Sequence, residues 1–231
     1  MNATAAARLL LALAYPWLAH AASTRQDPFL AAIALGDIAL IVLLLPLLER
    51  RAWAWALAVA IGAGLVALAH SRMALLPLML VPVAVVALVG WGFGRTLRAG
   101  RVPLITRIVS AMEGTPADDI APDLRRYTRA LTATWAVLLG TLAVADLLFA
   151  ACAVPGGLLD SLGVAPPVAI SRTQWSLFAN GLNYGLVGAL FLGEFAYRTR
   201  RFPGRYTSFF EFLHRMARLG PAFWRDAMRG G

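Results

Sequence analysis

The chain has 231 residues, of which 60% are hydrophobic and only 14% charged, with mean hydropathy +0.69. A soluble domain of this size has no use for so much apolar surface. Its 21 basic residues are all Arg, set against 12 acidic residues for a net charge of +9. In so apolar a chain that surplus speaks for membrane topology and anionic lipid and against a nucleic-acid partner. The absence of Lys, with abundant Ala, Leu and Gly, suggests a GC-rich bacterial genome. The single Cys152 excludes an internal disulfide and a cysteine-cluster metal site.

Several stretches reach the roughly 18 apolar residues that mark a membrane-spanning helix, and helices satisfy their own backbone groups in lipid. The predicted fold is therefore an all-α integral membrane protein: a six-transmembrane-helix bundle in a single membrane domain, 1–231. The spans read as 4–22, 29–48, 53–70, 74–93, 130–152 and 176–196. In the first, "AHA" at 19–21 leaves a cleaved signal peptide open, while Tyr15, Pro16 and Trp17 interrupt the core and favour a retained span. Arg8, Arg50, Arg51, the seven arginines from Arg95 to Arg129 and those of the tail fall on one side; only Arg25, Arg72 and Arg172 fall on the other. That bias puts both termini in the cytoplasm and predicts a multi-pass protein of the bacterial inner membrane.

Two cytoplasmic segments read as amphipathic helices. In 100–114, Pro103 suits a helix start and Gly114 a helix end, with Leu104, Ile105, Ile108, Val109 and Met112 on one face. In 206–226, Ser208 and Glu211 make a capping box ahead of Phe209, Phe212, Leu213 and Met216. Such helices either lie on the lipid surface or pack beneath the bundle. Arg98, Arg101, Arg107, Arg215 and Arg218 then form a cytoplasmic basic face. "PGGLLDSLGVAPP" at 155–167 reads as an irregular outer loop.

Ionisable groups inside spans point most directly to function. Asp37 and Asp146 lie roughly 12 and 9 Å below the outer ends of their spans, at about 1.5 Å per residue. Asn180 and Asn183 enter from the same side at roughly 6 and 10 Å, with Tyr184 adjacent. These five residues are the candidate buried polar cluster, below His20, His70 and Arg172 at the rim. Ser176, Asn180, Asn183 and Glu194 share one arc of the last span, beside a stripe of Gly181, Gly185 and Gly188 suited to close helix contact. Glu194 has a plainer role, as an (i, i+4) partner of Arg198. For Asp37 and Asp146 two readings stand: interhelical hydrogen bonding, or a proton or substrate site. Leu142, Leu139 and Trp135, on the same face as Asp146, make a poor water path.

"DDIAPD" at 118–123 offers Asp118, Asp119 and Asp123 as a Mg²⁺–diphosphate cluster, but its spacing is unusual for one and Pro122 breaks the helix such a site would use. Acids ahead of a helix carrying Arg125 and Arg126 are commonly dipole and charge complements. No hydrolase or acyltransfer motif and no phosphate loop is present. No cofactor or metal is expected, catalysis is not expected, and a homo-oligomer is left open.

"WGFGRTLRAGRVPLITRIVSAMEG", "LRRYTRALTATWAVLLG" and the late "FLGEFAYRTRRFP" resemble a family of small bacterial inner-membrane proteins encoded with aryl-polyene (xanthomonadin-type) pigment biosynthesis genes. The resemblance spans about half the chain and carries over no catalytic residue. It implies an accessory inner-membrane protein supporting synthesis or export of a pigment lipid. The arginine face would meet anionic lipids or acidic acyl-carrier and polyketide-type enzymes. Two alternatives come from the residues: a small proton-coupled transporter or flippase using Asp37 and Asp146, and a membrane enzyme acting on a lipid-linked acyl or prenyl group.

Overall fold

The computed structural model describes residues 3–71, 73–171, 174, 175, 177, 178, 183–201, 220 and 223. Arg72, Arg172, Ser176, Asn180, Gly181, the capping box of Ser208 and Glu211, and Arg215 and Arg218 lie outside them, as does all of the second amphipathic segment but Gly220 and Phe223. Most of the described chain is helical; the rest is turns, loops and one pair of two-residue strands. Among the described residues five helices are long and apolar enough to cross a membrane: Thr4–Arg25, Pro28–Leu48, Ala52–Ala69, Leu75–Arg95 and Pro122–Cys152. Their outward side chains are apolar: Trp17 is 78% exposed, Val59 69% and Val137 68%. Surface of that kind on long helices is matched to lipid and not to water. This is the build of a multi-pass membrane protein. The chain divides into two compact units, Met1–Val81 with Phe149–Arg172, and Pro82–Leu148 with Thr173–Gly231.

In the first unit, α1 (Ala3–Arg25) and α2 (Pro28–Leu48) form an antiparallel hairpin. Asp27 caps α2, its Oδ1 accepting from the N–H groups of Phe29 (2.8 Å) and Leu30 (3.3 Å), and Pro28 occupies the first helical position, where a missing N–H costs nothing. Small residues let the hairpin close: Ala22, Ala31 and Ala34 are fully buried, with Leu78 and flanking Tyr15, Leu18 and Leu30. A three-residue connection, Glu49 to Arg51, with Arg50 at φ 53° leads into α3 (Ala52–Ala69), which packs on α2. There Gly36 faces Leu65, and the Phe29 and His70 rings meet edge-on with centroids 5.5 Å apart. The segment expected to be an irregular loop is bracketed by a parallel pair, β1 (Ala153–Val154) with β2 (Ile170–Ser171), and holds a one-turn helix, α7 (Leu158–Ser161). Asp160 Oδ2 accepts from the Gly156 N–H at 2.6 Å, which fixes the turn. Gly157 is required here, because a Cβ would collide with the Ala153 carbonyl.

The second unit holds α4 (Leu75–Arg95) from Pro82 on, α5 (Leu104–Glu113), α6 (Pro122–Cys152) as far as Leu148, and α8 (Asn183–Arg201). Glycine brings α4 and α6 together: a Cβ on Gly90 would stand 3.0 Å from Leu139 Cβ and 3.3 Å from the Gly140 nitrogen. One turn on, the Phe93 and Trp135 rings lie 6.0 Å apart. α6 has 31 residues, against 23 expected for its span. At about 1.5 Å per residue it is roughly 46 Å long, well beyond a hydrocarbon layer of about 30 Å. Its first turns, carrying Arg125, Arg126 and Arg129, are the excess.

α5 matches the first amphipathic segment, and Gly114 ends it in the left-handed conformation (φ 67°). Its apolar face is covered by protein. Leu104 and Ile108 pack with Phe93, Met112 and Phe223, and Val109 packs with Ile120, Leu124 and Tyr127.

Candidate functional site

Two polar contacts join α6 to α8, and the helices run antiparallel. Near the end of α6, Asp146 is 2% exposed, and Asn183 at the start of α8 is 7% exposed. Asn183 Nδ2 donates to Asp146 Oδ1 at 2.9 Å and Oδ2 at 2.7 Å. Asn183 Oδ1 is buried with no hydrogen-bond partner among the described residues. Asp146 has no ion pair among them, and Leu142 and Leu139 on its face are buried. The carboxylate is thus solvated by one amide in an apolar setting, which fits a hydrogen-bonded link between helices. At the other end, Tyr127 Oη donates to Glu194 Oε1 at 2.9 Å, and Arg198 Nε lies 3.2 Å from the same oxygen. The Tyr127 and Tyr197 rings stack at 5.8 Å. Asn183 and Glu194 are eleven residues apart, about 20° on a helical wheel, so one face of α8 meets α6 at both levels.

Of the remaining cluster residues, Tyr184 turns outward and is 73% exposed, because one residue along a helix rotates the side chain about 100° from Asn183. It takes no part in the buried contact. Asn180 lies outside the described residues. Asp37 belongs to the first unit, where it is 8% exposed with Oδ2 buried and without a hydrogen-bond partner among the described residues. Of the rim histidines, His20 is exposed and His70 Nδ1 sits 2.8 Å from the Val66 carbonyl oxygen.

The basic segment forms a second candidate site. A cleft of about 330 Å³ is lined by Arg101, Val102 and Pro103 before α5, Thr106 within it, Ala117 and Asp118 after it, and Pro122, Arg125, Arg126 and Arg129 on the first turns of α6. Arg129 is anchored, with Nη2 donating to the Leu97 carbonyl at 3.0 Å. The guanidinium groups of Arg101, Arg125 and Arg126 have no ion pair or hydrogen bond among the described residues. Of the sequence-predicted basic face, Arg98 is exposed outside the cleft, Arg107 is half-buried on α5, and Arg101 lines the cleft. Of the acidic run, Asp118 faces the cleft while Asp119 and Asp123 are exposed. Among the described residues no three metal-ligating side chains gather.

Buried threonines hold the cleft's walls. The Leu104 N–H donates to Thr96 Oγ1 (3.0 Å) and the Ile105 N–H to Thr132 Oγ1 (3.3 Å), so neighbouring helices satisfy the first amides of α5 where Pro103 supplies no cap. Thr106 and Thr128 share a 2.7 Å hydroxyl contact. Sequence inspection misses these four residues, because threonine is ordinary in an apolar span and its hydroxyl can bond its own helix. It also misses Tyr127, whose position just before the fifth span is the one available hint. No family model, curated protein or solved structure matches this chain.

Proposed function

We propose that the chain is a six-span protein of the bacterial inner membrane, with both termini in the cytoplasm, that supports synthesis or export of an aryl-polyene-type pigment lipid. It engages acidic partners, either anionic lipid or acyl-carrier and polyketide-type enzymes, through an arginine-rich face. The observation that carries this reading is the concentration of Arg95, Arg98, Arg101, Arg107, Arg125, Arg126 and Arg129 between the end of α4 and the first turns of α6, with a cleft whose Arg101, Arg125 and Arg126 have no ion pair among the described residues. The sixth span, from 176 to 196, overlaps α8. Reversing Arg98, Arg107, Arg215 and Arg218 to Glu in a pigmented host lowers pigment yield and recovery of partners while the protein still accumulates in the membrane. Unchanged yield and recovery would overturn the proposal.

The buried Asp146 favours a second reading, a small proton-coupled transporter or flippase, because a carboxylate inside a span is costly to keep without a task. Under that reading, D146N and D37N abolish function with the fold intact. Under the first reading both keep it.

A further inference from the structure

The arginine cleft has a composition that narrows what it can hold. Arg125 and Arg129 are one turn apart on α6, and Arg126 and Arg129 are three residues apart, so the three project from one side of the helix. Arg101 adds a fourth guanidinium from the facing loop. Against these stands, among the described lining residues, one carboxylate, Asp118, which leaves that lining with a formal charge of +3. A singly charged phosphodiester would leave most of that charge unmatched, while a terminal phosphate or a diphosphate matches it far better. Guanidinium groups suit such a ligand because they offer paired N–H donors in a planar fork that fits phosphate oxygens. The volume, about 330 Å³, is at the small end of pockets that take small molecules, roughly 300–1,000 Å³. It suits a headgroup and not a whole lipid.

Position adds a second argument. The cleft lies on the part of α6 that extends beyond the hydrocarbon layer. Measured back from Cys152 at about 1.5 Å per residue, a layer of about 30 Å ends near residue 132. Arg129, Arg126 and Arg125 follow roughly 5–11 Å out, across and just beyond a headgroup layer of about 5–7 Å, within reach of lipid phosphates for a side chain as long as Arg.

We infer that this cleft is a binding site for a terminal phosphate or diphosphate group, presented at the membrane surface by a lipid headgroup. The inference rests on the reading of the chain as a membrane protein with a basic face, and narrows that face to one site. Its test uses the full chain in nanodiscs of phosphatidylcholine, with two probes: phosphatidic acid doped into the bilayer, and inorganic pyrophosphate in solution. Retained lipid is counted by native mass spectrometry, and pyrophosphate binding by calorimetry.

The wild type retains phosphatidic acid over phosphatidylcholine, and R125Q/R126Q loses at least about tenfold of that preference, as expected for a lost charge-assisted contact. R50Q, in the turn between α2 and α3 and outside the cleft lining, stays within about twofold. If R125Q/R126Q does not assemble, R101Q in the loop carries the same expectation. Pyrophosphate binding that R125Q/R126Q abolishes, without any lipid preference, upholds the phosphate site and overturns its lipid source. Equal binding by wild type and R125Q/R126Q to both probes overturns the site. An equal loss in R50Q also overturns it, and leaves a diffuse surface-charge effect for which the pigment-yield test remains a separate measure.

Discussion

Truncating Asn183 to Ala removes the one donor that reaches both oxygens of Asp146, at 2.9 and 2.7 Å. Interhelical hydrogen bonds in membranes contribute about 0.6 kcal/mol on average and about 1.7 at most. A hydrogen bond to a charged group contributes about 1.5–3 kcal/mol, and an orphaned buried group costs about as much. Asp146 is 2% exposed and has no other described partner, so water cannot replace the amide cheaply. N183A should therefore destabilise by about 1.5–3 kcal/mol, a roughly 10- to 150-fold shift in the unfolding equilibrium. D146N behaves differently. An amide at 146 can accept from Asn183 and also donate to Asn183 Oδ1, which is buried and unpartnered among the described residues, so stability should stay within about 0.5 kcal/mol of wild type. The D146L/N183L double variant should lose less than the two single changes combined, the gap being a coupling of at least about 1 kcal/mol. Steric-trap unfolding in bicelles measures all of these. An N183A variant within about 0.3 kcal/mol of wild type, with no coupling in the cycle, refutes the assignment of this pair as a link between α6 and α8.

Two further expectations follow from packing and caps. G90A should destabilise by about 1–3 kcal/mol, because its Cβ meets the Leu139 side chain and the Gly140 backbone, whereas G94A, whose Cβ would sit 3.8 Å from Ala136, should be nearly neutral in the same assay. T96V removes the acceptor of the Leu104 N–H, so hydrogen exchange at that amide should accelerate and stability fall by about 1–3 kcal/mol; unchanged exchange would show that water already serves it.

Long apolar runs made α1, α2, α3, α4 and the apolar part of α6 legible, since runs of about 18 such residues mark a membrane span. The start of α6 was not legible, because hydropathy marks where lipid begins and not where helix begins, and the turns bearing Arg125, Arg126 and Arg129 are polar. The wheel of the last span placed Asn183 and Glu194 on one face correctly, and the (i, i+4) spacing anticipated the Glu194–Arg198 pair. Tyr184 shows the limit of depth alone: it shares a level with Asn183 but points elsewhere. The cleft could not be read at all, because Arg101 and Arg129 are brought together by α5 folding back between them, a tertiary event without local periodicity.

The first amides of α5 find their acceptors on Thr96 and Thr132, residues that lie before and after it in the chain. A ten-residue helix is too short to hold itself in water. During synthesis, then, α5 has no settled form when it leaves the ribosome. It waits for about twenty more residues, until α6 supplies Thr132, and the arginine cleft is completed at the same moment. An insertion machine that released α4 without holding α6 alongside it would strand the whole segment between them.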